Sequence, residues 1–251
     1  MSRRTGARNP AQAAIDALRS LTAHDVSPVF HTNMPGWGSH PQMGVIADHR
    51  TQSMHGYYAQ TLVLSEHTGS HVDAPIHNHP GTGTIDTVPV DALVAPFKKY
   101  ALASPGYEAG AAIPLAALLD CERRDDFALE PGDVAVLEIG WDKHYEPAHP
   151  DPAVRDWWGR NQPGLTEDAC AYLADAGVVA VACDTAACDL VVTDGVTHSG
   201  FGHDTYFLPR GILIVEGLQR LSAAPCQGLF VALPLRIRDG SGSPVRVALY
   251  A

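Results

Sequence analysis

Positive charge is scarce in this chain: 17 lysines and arginines stand against 28 aspartates and glutamates, a formal net charge of −11 at pH 7. Apart from Ser2, Arg3 and Arg4, the basic residues do not cluster. That excludes the basic footprint of a nucleic-acid or anionic-membrane binder. No apolar run approaches the ~20 residues of a membrane span, and the first residues lack the apolar core of a secretory leader. Cysteine offers no framework either. Cys121, Cys170, Cys183, Cys188 and Cys226 are odd in number and contain no C-x-x-C. They read as reduced, buried thiols of a cytoplasmic protein. Several catalytic signatures are missing: H-E-x-x-H, G-x-S-x-G, the phosphate-binding G-x-x-x-x-G-K-[ST] and a full G-x-G-x-x-G. GTGTID and GFGHD fall short of the last, and a serine triad has little to stand on.

What remains is a chain of 251 residues, 45% apolar, long enough for one domain with a solvent-shielded site. PAQAAIDALRSL at residues 10–21 has helical spacing and an early proline. Residues 26–44 carry too many prolines and glycines for regular structure. Residues 57–65 read as a strand that runs straight into a histidine-rich segment. IPLAALLDCERR and LTEDACAYLADAG read as helices, the second capped by Thr166, with acids at its positive end and Gly177 at its close. VAVLEIG, VVAVACD and GILIVEG are short apolar runs, the pattern of strands buried on both faces. LFVALPLRI and VRVALY supply late strands, the former an edge or bulged strand because of Pro234. The expected fold is α/β: a helical N-terminal segment over residues 1–26, then one domain over 27–251 with a mixed sheet flanked by helices.

The sixteen residues SEHTGSHVDAPIHNHP hold four histidines and one aspartate. His67, His71, Asp73 and His77 all fall at odd positions, so an extended chain puts them on one face. A helix would scatter them, and Pro75 opposes one. Imidazoles with a carboxylate suit Zn²⁺ or Mn²⁺, one ion or two. His79 shares the parity but precedes a turn and reads as a loop residue. Glu216 sits in the apolar run GILIVEGL, where a carboxylate costs several kcal/mol unless paired or metal-bound. The run has no cation, so Glu216 reads as a further ligand. Upstream, THSGFGHDTYF offers His198, His203 and Asp204, among which chemistry alone does not choose.

HTGSHVDAPIH, residues 67–77, resembles the H-x-G-T-H-x-D-x-P-x-H signature of the cyclase-like metal-dependent hydrolases, the family of bacterial kynurenine formamidase and isatin hydrolase. VLEIGWDKHY, PGLTEDACAYLADAGVVAVACDT and GILIVEGLQRL resemble further family stretches in the same order. The resemblance implies a swivelling β/β/α fold. It implies that His67, His71 and Asp73 hold one metal, that Asp73 reaches a second, and that Glu216 bridges the two. It makes His77 the catalytic acid/base and Trp37 a substrate contact. Three departures stand out. Ser70 replaces the usual threonine. The position twelve residues before Glu216, often histidine in relatives, is Asp204, so His203 serves only if DTYFLPRG carries one extra residue. The loop around Trp37 lacks the formamidases' Pro-Gly-Asp run.

The expected reaction is hydrolysis of an amide by metal-activated water, with N-formylkynurenine as the named substrate and a homodimer or homotetramer as the assembly. Opening of a cyclic amide or lactone, and a non-catalytic metal or small-ligand binder, are the rivals. WDKHY and DWWGR are aromatic stretches that could line the pocket, remain a half-exposed loop or meet another subunit.

Overall fold

The computed structural model describes residues 9–41, 44–50, 52–104, 106–145 and 149–251; the first eight residues of the N-terminal segment lie outside that set. Nine strands form one sheet: β1 (Ala23–Asp25), β2 (His71–Asp73), β3 (Val94–Ala101), β4 (Val134–Glu138), β5 (Ala180–Cys183), β6 (Leu213–Glu216), β7 (Gln227–Ala232), β8 (Gly242–Pro244) and β9 (Val247–Tyr250). Their order is β1-β9-β7-β3-β4-β5-β6-β2-β8. β3 to β6 are parallel, and every other pairing is antiparallel.

The apolar runs explain the centre. Every residue of β4, β5 and β6 is buried, as strands covered on both faces require. Alternation sends Leu137, Val181 and Ile214 to one face. There they meet Leu118 and Cys121 of α2 (Leu115–Asp125; α1 is Pro10–Ser20) and Leu173 of α3 (Glu167–Asp175). Val134, Val136, Ala182 and Val215 face the other way, with Phe230 and Leu218. The chain is a single α/β domain with a mixed sheet and flanking helices. Among the described residues no helix is long and apolar enough to cross a membrane.

Four local expectations change. The strand ahead of the histidine segment is present but shorter, Ala59–Val63, and it pairs with Gly44–Arg50 in a separate two-stranded sheet. The strand before Pro234 ends at Ala232 and lies inside the sheet, between β3 and β9; the proline falls beyond its ladder. Thr166 occupies the N-cap position of α3, but its side chain accepts no helix amide and its hydroxyl faces the Ile113 carbonyl, at 3.1 Å, and the Asp168 carboxylate. The sheet begins at β1, ahead of residue 27, because Ala23–Asp25 pairs with β9.

Candidate metal centre

β2 and β6 are antiparallel neighbours, with Glu216 opposite His71 and Ile214 opposite Asp73. Cross-strand partners share a face, so His71, Asp73 and Glu216 point together while Val72 and Val215 enter the opposite core. Extended backbone accounts only for His71 and Asp73. His67 belongs to the turn before β2, and His77 closes a 3-10 helix, Pro75–His77. The uninterrupted extended segment expected from residue parity is therefore replaced by turn, strand and helix, because Pro75 starts a helical turn and Gly69 takes a positive φ of 64°. A Cβ on Gly69 would lie 2.5 Å from the Phe30 ring, so the turn needs glycine on both counts. Ser70, fully buried, donates to the Gly217 carbonyl at 2.9 Å and ties this turn to the end of β6.

His203 arrives from a π turn, Gly202–Tyr206, in which the Phe207 amide reaches back to the Gly202 carbonyl at 2.8 Å. A π turn holds one residue more than an α turn, an insertion of the size that the expected role of His203 calls for. Asp204 and His198 sit at the pocket lining, outside the donor set. Asp189, which the sequence reading passed over, is buried beneath His203: Oδ1 lies 2.6 Å from His203 Nδ1, and Oδ2 accepts the His203 amide at 2.9 Å. An acid in the apolar stretch TAACDLVV was the available signal, the same one that marks Glu216.

The donor geometry is that of two facing halves. His71 Nε2 is 3.5 Å from Asp73 Oδ1 and 3.3 Å from Glu216 Oε2. His203 Nε2 is 3.5 Å from Asp73 Oδ2 and 3.6 Å from Glu216 Oε1. Each carboxylate thus offers one oxygen to each imidazole. Donors at ~2.0–2.2 Å from a tetrahedral centre lie about 3.3–3.6 Å apart, so these spacings fit a divalent cation. Asp73 Oδ2 and Glu216 Oε1 are buried without a hydrogen-bond partner, a costly state that a cation would relieve. His67 is placed differently. Its Nδ1 is 2.6 Å from Asp73 Oδ1 and its Nε2 is 2.9 Å from Ser241 Oγ, which Glu66 holds in turn.

Electrostatics agree with that fit. Burial would raise the Asp73 carboxyl, but His71, His203 and His67 hold it well below the usual range. Burial and the Asp73 charge push Glu216 well above its own. Burial disfavours charge on His203 too, yet Asp189 outweighs it and lifts that imidazole well above the ordinary value. Two carboxylates in one buried place call for positive charge, and among the described residues the neighbouring imidazoles are its source.

A pocket of about 490 Å³ opens over this floor. Trp37, Tyr145 and Trp158 line it, with His40 from the N-terminal loop. The stretches WDKHY and DWWGR therefore contribute one wall residue each, while Trp157 stacks on Trp141 at 5.5 Å behind them. His77 lines the pocket with its ring 4.1 Å from His67 and 6.0 Å from His203, centroid to centroid. Its nitrogens make no hydrogen bond among the described residues, and burial lowers it to about 4, leaving a neutral imidazole. His40, also unforeseen from sequence, lies 5.1 Å from His67, with Nδ1 buried and unpartnered.

Comparison with known proteins completes the description. An isatin hydrolase from Roseibium aggregatum is 29% identical over 202 residues, 74% of this chain and 72% of that protein. A kynurenine formamidase from Salinibacter ruber is 30% identical over 190 residues, 75% and 78% of the two chains. A crystal structure of an isatin hydrolase bound to the product analogue thioisatinate superposes with a TM-score of 0.80 at 23% identity, covering 97% of this chain and 99% of that one, a likeness of fold. The family model described as "Putative cyclase" matches residues 24–190, and the chain belongs to that cyclase family, whose members compared above are hydrolases.

Proposed function

We propose that this protein is a metal-dependent hydrolase that cleaves an amide C–N bond, with an aryl formamide of the N-formylkynurenine type as substrate and kynurenine and formate as products. The observation that carries the reading is the pair of carboxylates, Asp73 and Glu216, each divided between His71 and His203 on the floor of an aromatic-walled pocket. His67, His71, Asp73, His203 and Glu216 would hold one or two ions, Zn²⁺ or Mn²⁺ by the chemistry of imidazole and carboxylate donors. A divalent ion held there would lower the pKa of a water from about 16 towards about 7 and would stabilise charge on the carbonyl oxygen.

The chain's own residues supply the rest. Asp189 fixes the ring of His203 and keeps Nε2 as its donor face. His77, neutral and without a ring hydrogen bond among the described residues, accepts the proton lost as water attacks and delivers it to the leaving nitrogen. Trp37, Tyr145 and Trp158 offer flat apolar surface to an aromatic ring and restrict water around it.

Ring opening of a cyclic amide is the second reading, favoured by the similarity to an isatin hydrolase. It needs the same attack and the same proton delivery, with the leaving nitrogen still tethered. A purely structural metal site would have every position filled by protein, which leaves the uncommitted His77 without purpose. We place the protein in the cytoplasm as a homodimer or homotetramer. Its cysteines are unpaired thiols, and Leu62 and Val63 of the hairpin expose apolar surface. Light scattering that returns the 26.7 kDa monomer mass would contradict the assembly.

His77→Ala is the direct test, with an aryl formamide and a cyclic aryl amide as substrates. Metal content should persist while hydrolysis falls by about 10²–10⁴-fold. Undiminished hydrolysis in the variant removes the catalytic assignment, and the faster of the two substrates identifies the class.

A further inference from the structure

The pocket contains an unusual imbalance of charge. Among the described residues its lining includes no lysine and no arginine. Apart from Glu216 on the floor, the lining carboxylate is that of Asp204, one residue beyond His203 in the π turn. Asp204 has no cationic partner among the described residues. Its Oδ1 accepts a hydrogen bond from Asn78 Nδ2 at 2.9 Å, and Asn78 directly follows His77. The carboxylate is thus anchored from the segment that carries the proton-transfer imidazole. Its Oδ2 lies beside Gly200, where an added Cβ would sit 3.2 Å from it, so the missing side chain leaves that oxygen room. Two residues adjacent to the reacting groups therefore hold an exposed, unneutralised negative charge at the pocket lining.

Given the hydrolase reading above, on which this rests, we infer that Asp204 is a substrate-selecting residue. It receives an ammonium or other cationic group at the end of the substrate remote from the amide, as the α-ammonium of an N-formylkynurenine-type substrate would supply, and it turns away substrates whose remote group is a carboxylate with no ammonium beside it. A carboxylate in that place would find no cation in the lining and would meet a protein of formal net charge −11. An ammonium would complete a charge-assisted hydrogen bond to the free oxygen. An Asn78–Asp204 bond that served only to latch two segments would be indifferent to the charge of the ligand.

The test uses metal-loaded protein and three formanilides matched in shape, with a para aminomethyl, hydroxymethyl or carboxylate group. In the wild type, kcat/KM should fall in that order. The ammonium-to-neutral ratio should be about five-fold or more, the size expected of one charge pair at ~4 Å in a watery setting. In Asp204→Asn, which keeps the shape and an acceptor for Asn78, that ratio should drop several-fold, mostly through KM. Raised salt should shrink the wild-type ratio and leave the variant's alone. An unchanged ratio in the variant, or a wild type that favours the carboxylate, overturns the inference while the hydrolase reading stands. If none of the three is hydrolysed, the hydrolase reading fails instead. The intact compounds then give Kd by calorimetry, and equal Kd for the ammonium and neutral compounds overturns the role of Asp204 independently.

Discussion

A buried imidazole serves as a metal donor only if its ring is held in one orientation and one tautomer. For His203, a donor in the proposed site, that work would fall to Asp189, which binds both the ring Nδ1 and the backbone amide of the same residue. Asn at 189 could offer the ring only an amide in place of a charged acceptor. Asp189→Asn should weaken divalent-metal affinity by about 10–100-fold, the usual effect of losing such a partner. Competition with a coloured chelator measures it, and unchanged affinity would mean that Asp189 merely fills space. At this scale much of the site was legible, because metal chemistry restricts residue type: His71, Asp73 and Glu216 stand out as polar groups in apolar or extended surroundings. Asp189 and His40 were not, since nothing in the spacing ties residue 189 to 203 or residue 40 to 67.

Elements decide how those residues meet. The odd-numbered pattern picks out four groups that the structure does bring near one another, but by an incomplete argument, because backbone alternation operates only across His71–Asp73. The turn bearing His67 and the 3-10 helix bearing His77 depend on Gly69 and Pro75, whose effects are local and conformational. Helix and strand placements were mostly readable from apolar periodicity. The π turn was visible only as a spacing one residue too long.

A comparable device closes β5. Asp184 follows that strand and accepts the amides of Ile139, Gly140 and Trp141 at 3.0, 2.7 and 3.2 Å, holding the loop after β4. Burial, aided by Asp142, pushes its carboxyl up to about 7 against those three donors. A folded-state pKa above the unfolded value of 3.8 means that the folded protein holds a proton the unfolded chain releases. The associated stability is complete below about pH 4 and is lost as pH rises through about 7. Between pH 5 and 8 the wild type should lose about 2–3 kcal/mol relative to Asp184→Asn, which cannot titrate there. Urea unfolding at the two pH values measures the difference. Parallel pH profiles for the two proteins would mean that Asp184 stays ionised under its three amides.

On the scale of the whole molecule, the sheet order brings residues separated by more than a hundred positions to one place. β2 must cross the chain to lie antiparallel to β6, and only that pairing sets His71 opposite Glu216. No periodicity in the sequence encodes strand order, so the class of fold was readable and the placement of β2 beside β6 was not. The late strand before Pro234 illustrates the same limit: a proline two residues past a ladder says nothing about which neighbours flank it.

The central claim is that this convergence holds a divalent cation on which hydrolysis depends. Elemental analysis of the purified protein, coupled to assay of an aryl formamide before chelation, after chelation and after return of Zn²⁺ or Mn²⁺, tests it most directly. The account predicts one or two metal equivalents per chain, loss of hydrolysis on chelation and recovery on return of the ion. Full hydrolysis by the metal-free protein would contradict it.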